Sequence, residues 1–231
     1  VVVVVLHHVT TDEWSDRPFL RDLTEAYQAR SEGRAPGWAP LPVQYADFTL
    51  WQRDLLGDPA DPASRHARQL DHWRTMLAGA PEELTAPTDR PRPAVPSHRG
   101  GVVEATLPPE VHERLRALCL DRGASAFMAV HAAVAVLLHR LGAGDDVVLG
   151  APITGRTDEA LEDLAGVFVN TLVLRTRTDG RPSFAELVAR TRDTDLAAFA
   201  NQDLPFERLV ETLSPSRSAA RHPLCQVVLT F

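Results

Sequence analysis

The chain has 231 residues, 44% hydrophobic and 24% charged, with a formal net charge of −7. At roughly 150 residues per domain this allows one or two domains, and the composition excludes a disordered or collagen-like chain. An acidic balance without a basic stripe argues against a nucleic-acid binder, and no apolar run reaches the ~18 residues of a membrane span.

Residues 1–6 (VVVVVL) form a continuous β-branched run, which reads as a strand buried on both faces. Leu224 to Phe231 repeats a strand pattern at the other end, so both ends read as cut through folded structure and the chain as part of something longer. The opening has neither the basic n-region nor the cleavage site of a signal peptide. Ser15 or Asp16 is placed to cap a helix with Pro18 in its first turn and Phe19, Leu20, Leu23 and Tyr27 on one face. Gly33 to Pro42 reads as a loop. Helices are expected over Val43 to Leu56, with Phe48, Trp51 and Leu55 aligned, and over Ala63 to Leu77, with Leu70, Trp73 and Leu77 aligned. The proline-rich segment from Thr88 to Arg99 is the linker candidate.

Beyond the linker, a strand is expected near Gly101 to Leu107, then a helix opened by Pro108-Pro109 and an apolar helix from Ser125 to Leu141. Val147 to Ile153 and Val167 to Arg175 read as strands. Ser183 to Ala200 is amphipathic through Phe184, Leu187, Val188 and Thr191, and Pro205 to Leu213 is a short helix. Strands and helices interleave, so the class is α/β or α+β. Cys119 and Cys225 lie far apart in apolar company, too few for a disulfide framework, so a reducing cytoplasmic setting is expected.

The first chemical candidate is the run His7-His8-Val9-Thr10-Thr11-Asp12. Successive side chains on a strand point to opposite faces, so one histidine is expected toward a cleft and the other in packed structure. An imidazole followed by a carboxylate in the next turn suits proton transfer, although two core histidines bonded to backbone would give the same spacing. These residues do not fan out from one face as metal ligands would, and no metal is expected. Ser15 lacks a Gly-x-Ser-x-Gly elbow and reads as a helix cap. Arg156 sits at a strand end, and Asn170-Thr171 can bond an extended ligand or pair across a sheet.

In order along the chain, HHVTTDEWS resembles the HHxxxDGxS signature of condensation domains from nonribosomal peptide synthetases. Tyr45-Ala46-Asp47-Phe48-Thr49-Leu50-Trp51 resembles their YxDYxxW motif, and Gly166-Val167-Phe168-Val169-Asn170-Thr171 their GxFVNT motif, with Arg175 following. Asn201 to Glu207 (NQDLPFE) resembles HQDxPFE, and Arg221-His222-Pro223-Leu224 the closing RxPL element. The resemblance implies a partial chloramphenicol acetyltransferase-like fold of two lobes with a tunnel between them. Residues 1–88 would end the N-terminal lobe, 89–99 would link, and 100–231 would form most of the C-terminal lobe.

The implied reaction joins an acyl or peptidyl thioester on an upstream carrier to the amine of an aminoacyl thioester on a downstream carrier. Both substrates would ride on phosphopantetheine arms, with no cofactor bound by the chain itself. The implied partners are the two peptidyl carrier proteins and an adenylation domain of the same parent chain, with no nucleic acid and no membrane. His8 is the implied catalytic residue, supported by His7, Asp12, Glu13 and Arg156, with Asp12 paired to Arg156. Trp14, Ser15, Asn170 and Gln202 are candidates to line the tunnel.

Glu13 departs from the family, which has Gly there; a side chain and a charge would oppose a developing oxyanion if they faced it. An epimerisation domain shares the fold and both histidines, but its signature places Trp after the Ser, whereas Trp14 precedes Ser15. A carrier-docking or recruitment domain without catalysis is the remaining alternative, favoured by Glu13 and opposed by intact His8.

Overall fold

The computed structural model describes residues 1–213 and 218–231. They form two compact units, one of residues 1–68 with 153–170 and the other of residues 69–152 with 171–231. None of the three boundaries falls in the proline-rich segment 89–99, which has no regular structure.

The first unit holds helices α1 (Asp16–Ser31) and α2 (Tyr45–Leu56) and a small aromatic core. Phe48 from α2 packs with Leu161, Leu164 and Phe168, and Val43 closes the edge. Gln44 precedes α2, and its backbone N–H donates to the Asp47 carboxylate at 2.8 Å, closing the first turn. Helix α3 (Arg65–Leu77) runs from the first unit into the second.

The second unit is built on helices α4 (Pro109–Arg122), α5 (Ala126–Leu138) and α6 (Phe184–Ala200), strands β1 (Asp146–Ile153) and β2 (Asn170–Arg177), and the short α7 (Phe206–Leu213). Pro109 opens α4 where a missing N–H costs nothing, and Gly123 closes it in the left-handed conformation at φ 58°. The hydroxyl of Ser125 accepts from Met128 N at 3.2 Å and starts α5. Ala129 and Ala132 of α5 pack with Cys119 of α4 and Leu187 and Val188 of α6, while Ala135 and Leu138 pack against Val147 and Leu149 of β1. Strands β1 and β2 are hydrogen-bonded neighbours and read apolar through their middles because they are covered. No single helix among the described residues is long and apolar enough to cross a membrane.

Several expected elements differ. Residues 1–6 are exposed and form no strand, and the two histidines after them lie at a turn. Residues 101–107 likewise form no strand. The expected strand from Leu224 to Phe231 reduces to one parallel bridge between Gly150 and Val228. A β-branched run states a preference, but a strand also needs a neighbour's hydrogen bonds. On α1, Leu20, Leu23 and Tyr27 share the expected face, yet that face is exposed. Ser15 stands at the N-cap position of α1 but makes no side-chain cap there; its hydroxyl is committed elsewhere. Strand β2 starts at Asn170 rather than Val167, because the amides of Phe168 and Val169 bond a carboxylate instead of a strand.

Candidate functional site

Asp12 caps a short 3-10 turn, Glu13–Ser15, and its carboxylate is buried. Its Oδ1 accepts from Ser15 N at 3.1 Å and Arg156 Nη2 at 3.1 Å; its Oδ2 accepts from Phe168 N at 2.9 Å and Val169 N at 3.3 Å. The Ser15 hydroxyl lies 2.8 Å from Asp12 Oδ1 and 2.9 Å from the Gly166 carbonyl, so its single proton serves one of them. It also accepts from Gly166 N at 3.1 Å and Arg156 Nη2 at 3.2 Å. The expected pairing of Asp12 with Arg156 is thus present as a buried ion pair, with side chains 1% and 5% exposed.

Arg156 is held through both terminal nitrogens, while its buried Nε has no partner among the described residues. Its Nη1 donates to the carbonyls of Leu161 and Leu164, and its guanidinium carbon stands 4.1 Å from the Phe168 ring centroid. Burial pushes the Asp12 carboxyl up, but the Phe168 amide, the Ser15 hydroxyl and Arg156 outweigh it and leave the group below the usual carboxylate range. Burial pushes the Tyr45 hydroxyl up, and the negative Asp12 adds to the effect.

The aromatic motif residues support this cluster. Tyr45 donates to the Val167 carbonyl at 2.8 Å and meets Phe168 edge-on at 5.2 Å between centroids, and Phe48 lies 4.7 Å from the same ring. Gly166 lets this happen: a Cβ there would lie 2.3 Å from the Tyr45 ring. Gly155 is stricter, at φ 67° and with a Cβ position 1.8 Å from the Phe168 carbonyl oxygen. Sequence reasoning did not single out Gly155. Its signal was its place directly before Arg156, where a strand must turn.

His7 and His8 do not divide between cleft and core; both are exposed. A turn rather than a strand carries them, closed by Thr10 N donating to the His7 carbonyl at 2.9 Å. His8 Nδ1 stands 2.7 Å from the Thr11 carbonyl oxygen, and His7 Nδ1 stands 3.0 Å from Val9 N. Glu13 and Trp14 are exposed, and residue 13 has negative φ, so nothing in the backbone there demands glycine. Asn170 opens β2 in half-buried surroundings, and Gln202, half-buried, follows α6 in the second unit.

The other motif residues hold the second unit together. Gln69 donates to Asp203 at 2.7 Å and accepts from Leu204 N at 2.8 Å, and Trp73 Nε1 donates to the Asn201 carbonyl at 2.9 Å. Phe206 stacks on His222 with centroids 5.3 Å apart, and Arg221 pairs with Glu83. Arg175 is held by Asp146 at 2.8 and 2.6 Å and by the carbonyls of Met76 and Ala78 at 2.9 Å.

Comparison with known proteins places this geometry. The condensation-domain family model matches residues 1–231. A probable nonribosomal peptide synthetase of Salinispora arenicola is 56% identical over all of this chain, which covers 3% of that protein. A dimodular nonribosomal peptide synthase of Bacillus subtilis is 53% identical, again over the whole chain and 10% of the relative. Among solved structures, the X-domain in a complex with OxyB from teicoplanin biosynthesis matches with a TM-score of 0.92 and 39% identity, covering 96% of this chain and 49% of that one. The fold is therefore the mixed α and β, chloramphenicol acetyltransferase-like condensation fold, represented in part. The chain belongs to the condensation-domain family of nonribosomal peptide synthetases.

Proposed function

We propose that the chain carries the amide-forming centre of its domain, joining a carrier-bound acyl or peptidyl thioester to the amine of a carrier-bound aminoacyl thioester. The observation that supports it best is the His8 ring. It is exposed, and its Nδ1 is engaged by the Thr11 carbonyl, so Nε2 is the nitrogen left to meet substrate. The loop bearing it ends in the buried Asp12–Arg156 pair, which makes Asp12 and Arg156 positioning residues remote from the reacting atoms.

An α-amine titrates near pH 8, so roughly a tenth is neutral at pH 7 and able to attack. Attack on the thioester carbonyl forms the C–N bond and a tetrahedral oxyanion bearing an ammonium. His8 Nε2 accepts the ammonium proton, or orients the amine as it attacks. The oxyanion then collapses, the C–S bond breaks, and the thiolate leaves and takes up a proton. Holding two tethered substrates together supplies several kcal/mol without a protein nucleophile. The proposed partners are an upstream and a downstream peptidyl carrier protein and an adenylation domain of the same parent chain. The chain itself binds no cofactor in this reading, its substrates being carried on phosphopantetheine, and the setting is the cytoplasm.

His8→Ala in the parent synthetase, with both carriers loaded, should abolish the dipeptidyl species seen by mass spectrometry while loading persists. Normal product from that variant overturns the reading. A second reading, recruitment of a partner protein, is favoured by one observation: a domain of this fold, 39% identical to this chain, is held in complex with OxyB. In that case His8→Ala would change nothing and deletion of the domain would abolish partner binding.

A further inference from the structure

The two adjacent histidines bond groups of opposite kind. The Thr11 carbonyl can only accept, so His8 Nδ1, 2.7 Å away, carries the proton and donates it. The Val9 backbone N–H can only donate, so His7 Nδ1, 3.0 Å away, must offer its lone pair. A neutral imidazole holds one proton, so His8 keeps a lone pair on Nε2 and His7 keeps its proton on Nε2.

The turn that sets these contacts is closed by one residue. Both the backbone N–H of Thr10, at 2.9 Å, and its hydroxyl, at 2.7 Å, donate to the His7 carbonyl. The next residue, Thr11, supplies the acceptor for His8, and its own hydroxyl donates to the Asp12 carbonyl at 3.2 Å. Asp12 N in turn donates to the Gly166 carbonyl at 3.1 Å. The loop is therefore pinned at one end by the buried cluster and at the other by Thr10.

We infer that Thr10 is a positioning residue that fixes the His8 ring in the Nδ1–H tautomer and so presents Nε2 as the proton acceptor. The catalytic consequence rests on the amide-forming reading above, while the tautomer itself does not. An exposed imidazole without such a contact mixes its two tautomers, and only one of them offers a lone pair at Nε2. Thr10→Val keeps the shape and the backbone bond but removes the hydroxyl's hydrogen bond; Thr10→Ser keeps both.

The test has two readouts on the same variants. In the full chain labelled with 15N-histidine, two-bond proton–nitrogen spectra distinguish the protonated from the unprotonated ring nitrogen, and His8→Gln identifies the His8 signals. The wild type should show His8 protonated at Nδ1 and His7 at Nε2. Thr10→Val should mix the His8 tautomers, and Thr10→Ser should restore the single form. In single-turnover condensation with loaded carriers, Thr10→Val should lower the rate up to about tenfold, the worth of one hydrogen bond, with the carrier KM unchanged and rescue by Thr10→Ser.

A wild-type His8 protonated at Nε2 overturns the inference. So does a Thr10→Val spectrum identical to the wild type. A changed tautomer with no change in rate overturns the catalytic half. If the wild type condenses nothing while the spectra change as expected, the amide-forming reading fails and the positioning of His8 by Thr10 stands.

Discussion

Each unit of the molecule buries one aspartate, and the two are treated very differently. Asp12 in the first unit uses both carboxylate oxygens, one on Ser15 and Arg156 and the other on the amides of Phe168 and Val169. Asp195 in the second unit is fully buried on α6, and its Oδ1 meets His131 Nδ1 of α5 at 2.9 Å. The far nitrogen of that ring lies 3.0 Å from the Thr176 hydroxyl of β2. Asp195 Oδ2 has no partner among the described residues. The first network organises backbone and thereby fixes the path of a loop. The second organises side chains from three elements and leaves a carboxylate oxygen bare, as the first leaves Arg156 Nε, at a cost of about 1–3 kcal/mol for such a group. A motif follows the first kind because backbone amides must meet one carboxylate in one place, while helix packing can be supported in many ways.

The largest effect should come from breaking the Asp12 network. Asp12→Ala strands the buried Arg156 charge and orphans two backbone amides, which should cost about 3–5 kcal/mol. Denaturant unfolding of the purified protein measures it, and a loss below about 1 kcal/mol would show that the cluster is not what holds the loop. His8→Ala, by contrast, touches an exposed side chain and should leave stability nearly unchanged.

Asparagine sharpens the comparison because it keeps the shape. Asp12→Asn places an amide NH2 against donors whichever way it turns, so it should cost about 3 kcal/mol. Asp195→Asn can keep its oxygen on His131 and put the NH2 where no partner stands already, so about 1 kcal/mol is expected. Equal losses from the two substitutions would remove the distinction between the networks.

Acid tests the first site next. The folded Asp12 carboxyl lies below its ordinary value near 3.9, so the unfolded chain binds the proton more tightly. Its contribution to stability is complete above the unfolded value and is lost as pH falls through the folded one. Asp12→Asn should therefore flatten the dependence of stability on pH below about 4. An unchanged acid limb would mean that the carboxylate is not held as described.

How much of this could be read in the sequence follows the same division. Asp12 and Arg156 were found because one belongs to a spaced motif and the other ends a strand. The Asp195 site was within reach too: Asp195 continues the buried spacing of Leu187, Val188 and Thr191 on α6, and His131 sits inside an apolar helix. A polar residue on each of two apolar faces signals a buried pair, but the 64-residue separation leaves the partner unnamed. Residues 1–6 failed for another reason, since their β-branched composition records only what the run would prefer beside a neighbour. The tautomers of His7 and His8 were out of reach altogether. They depend on where single backbone groups point in a turn, and no residue type encodes that.

Glu13 offers the smallest effect. In the family pattern its position is glycine, and a carboxylate facing a developing oxyanion at roughly 5 Å would oppose it by about 3 kcal/mol before screening. The structure puts Glu13 at the first position of the 3-10 turn, exposed and with negative φ. Its charge is therefore screened by water, and its backbone gains nothing from glycine. Glu13→Gly should leave the condensation rate within about twofold, below the 1.4 kcal/mol that a tenfold change requires. It should lower stability by about 0.5–1 kcal/mol through the added freedom of the unfolded chain. A rate gain of ten- to a hundredfold would place the carboxylate at the reacting atoms after all. A comparable loss, with folding intact, would give that carboxylate a part in binding or proton transfer. The same measurement would then move the centre of the site from the His8 ring toward the turn that Asp12 caps.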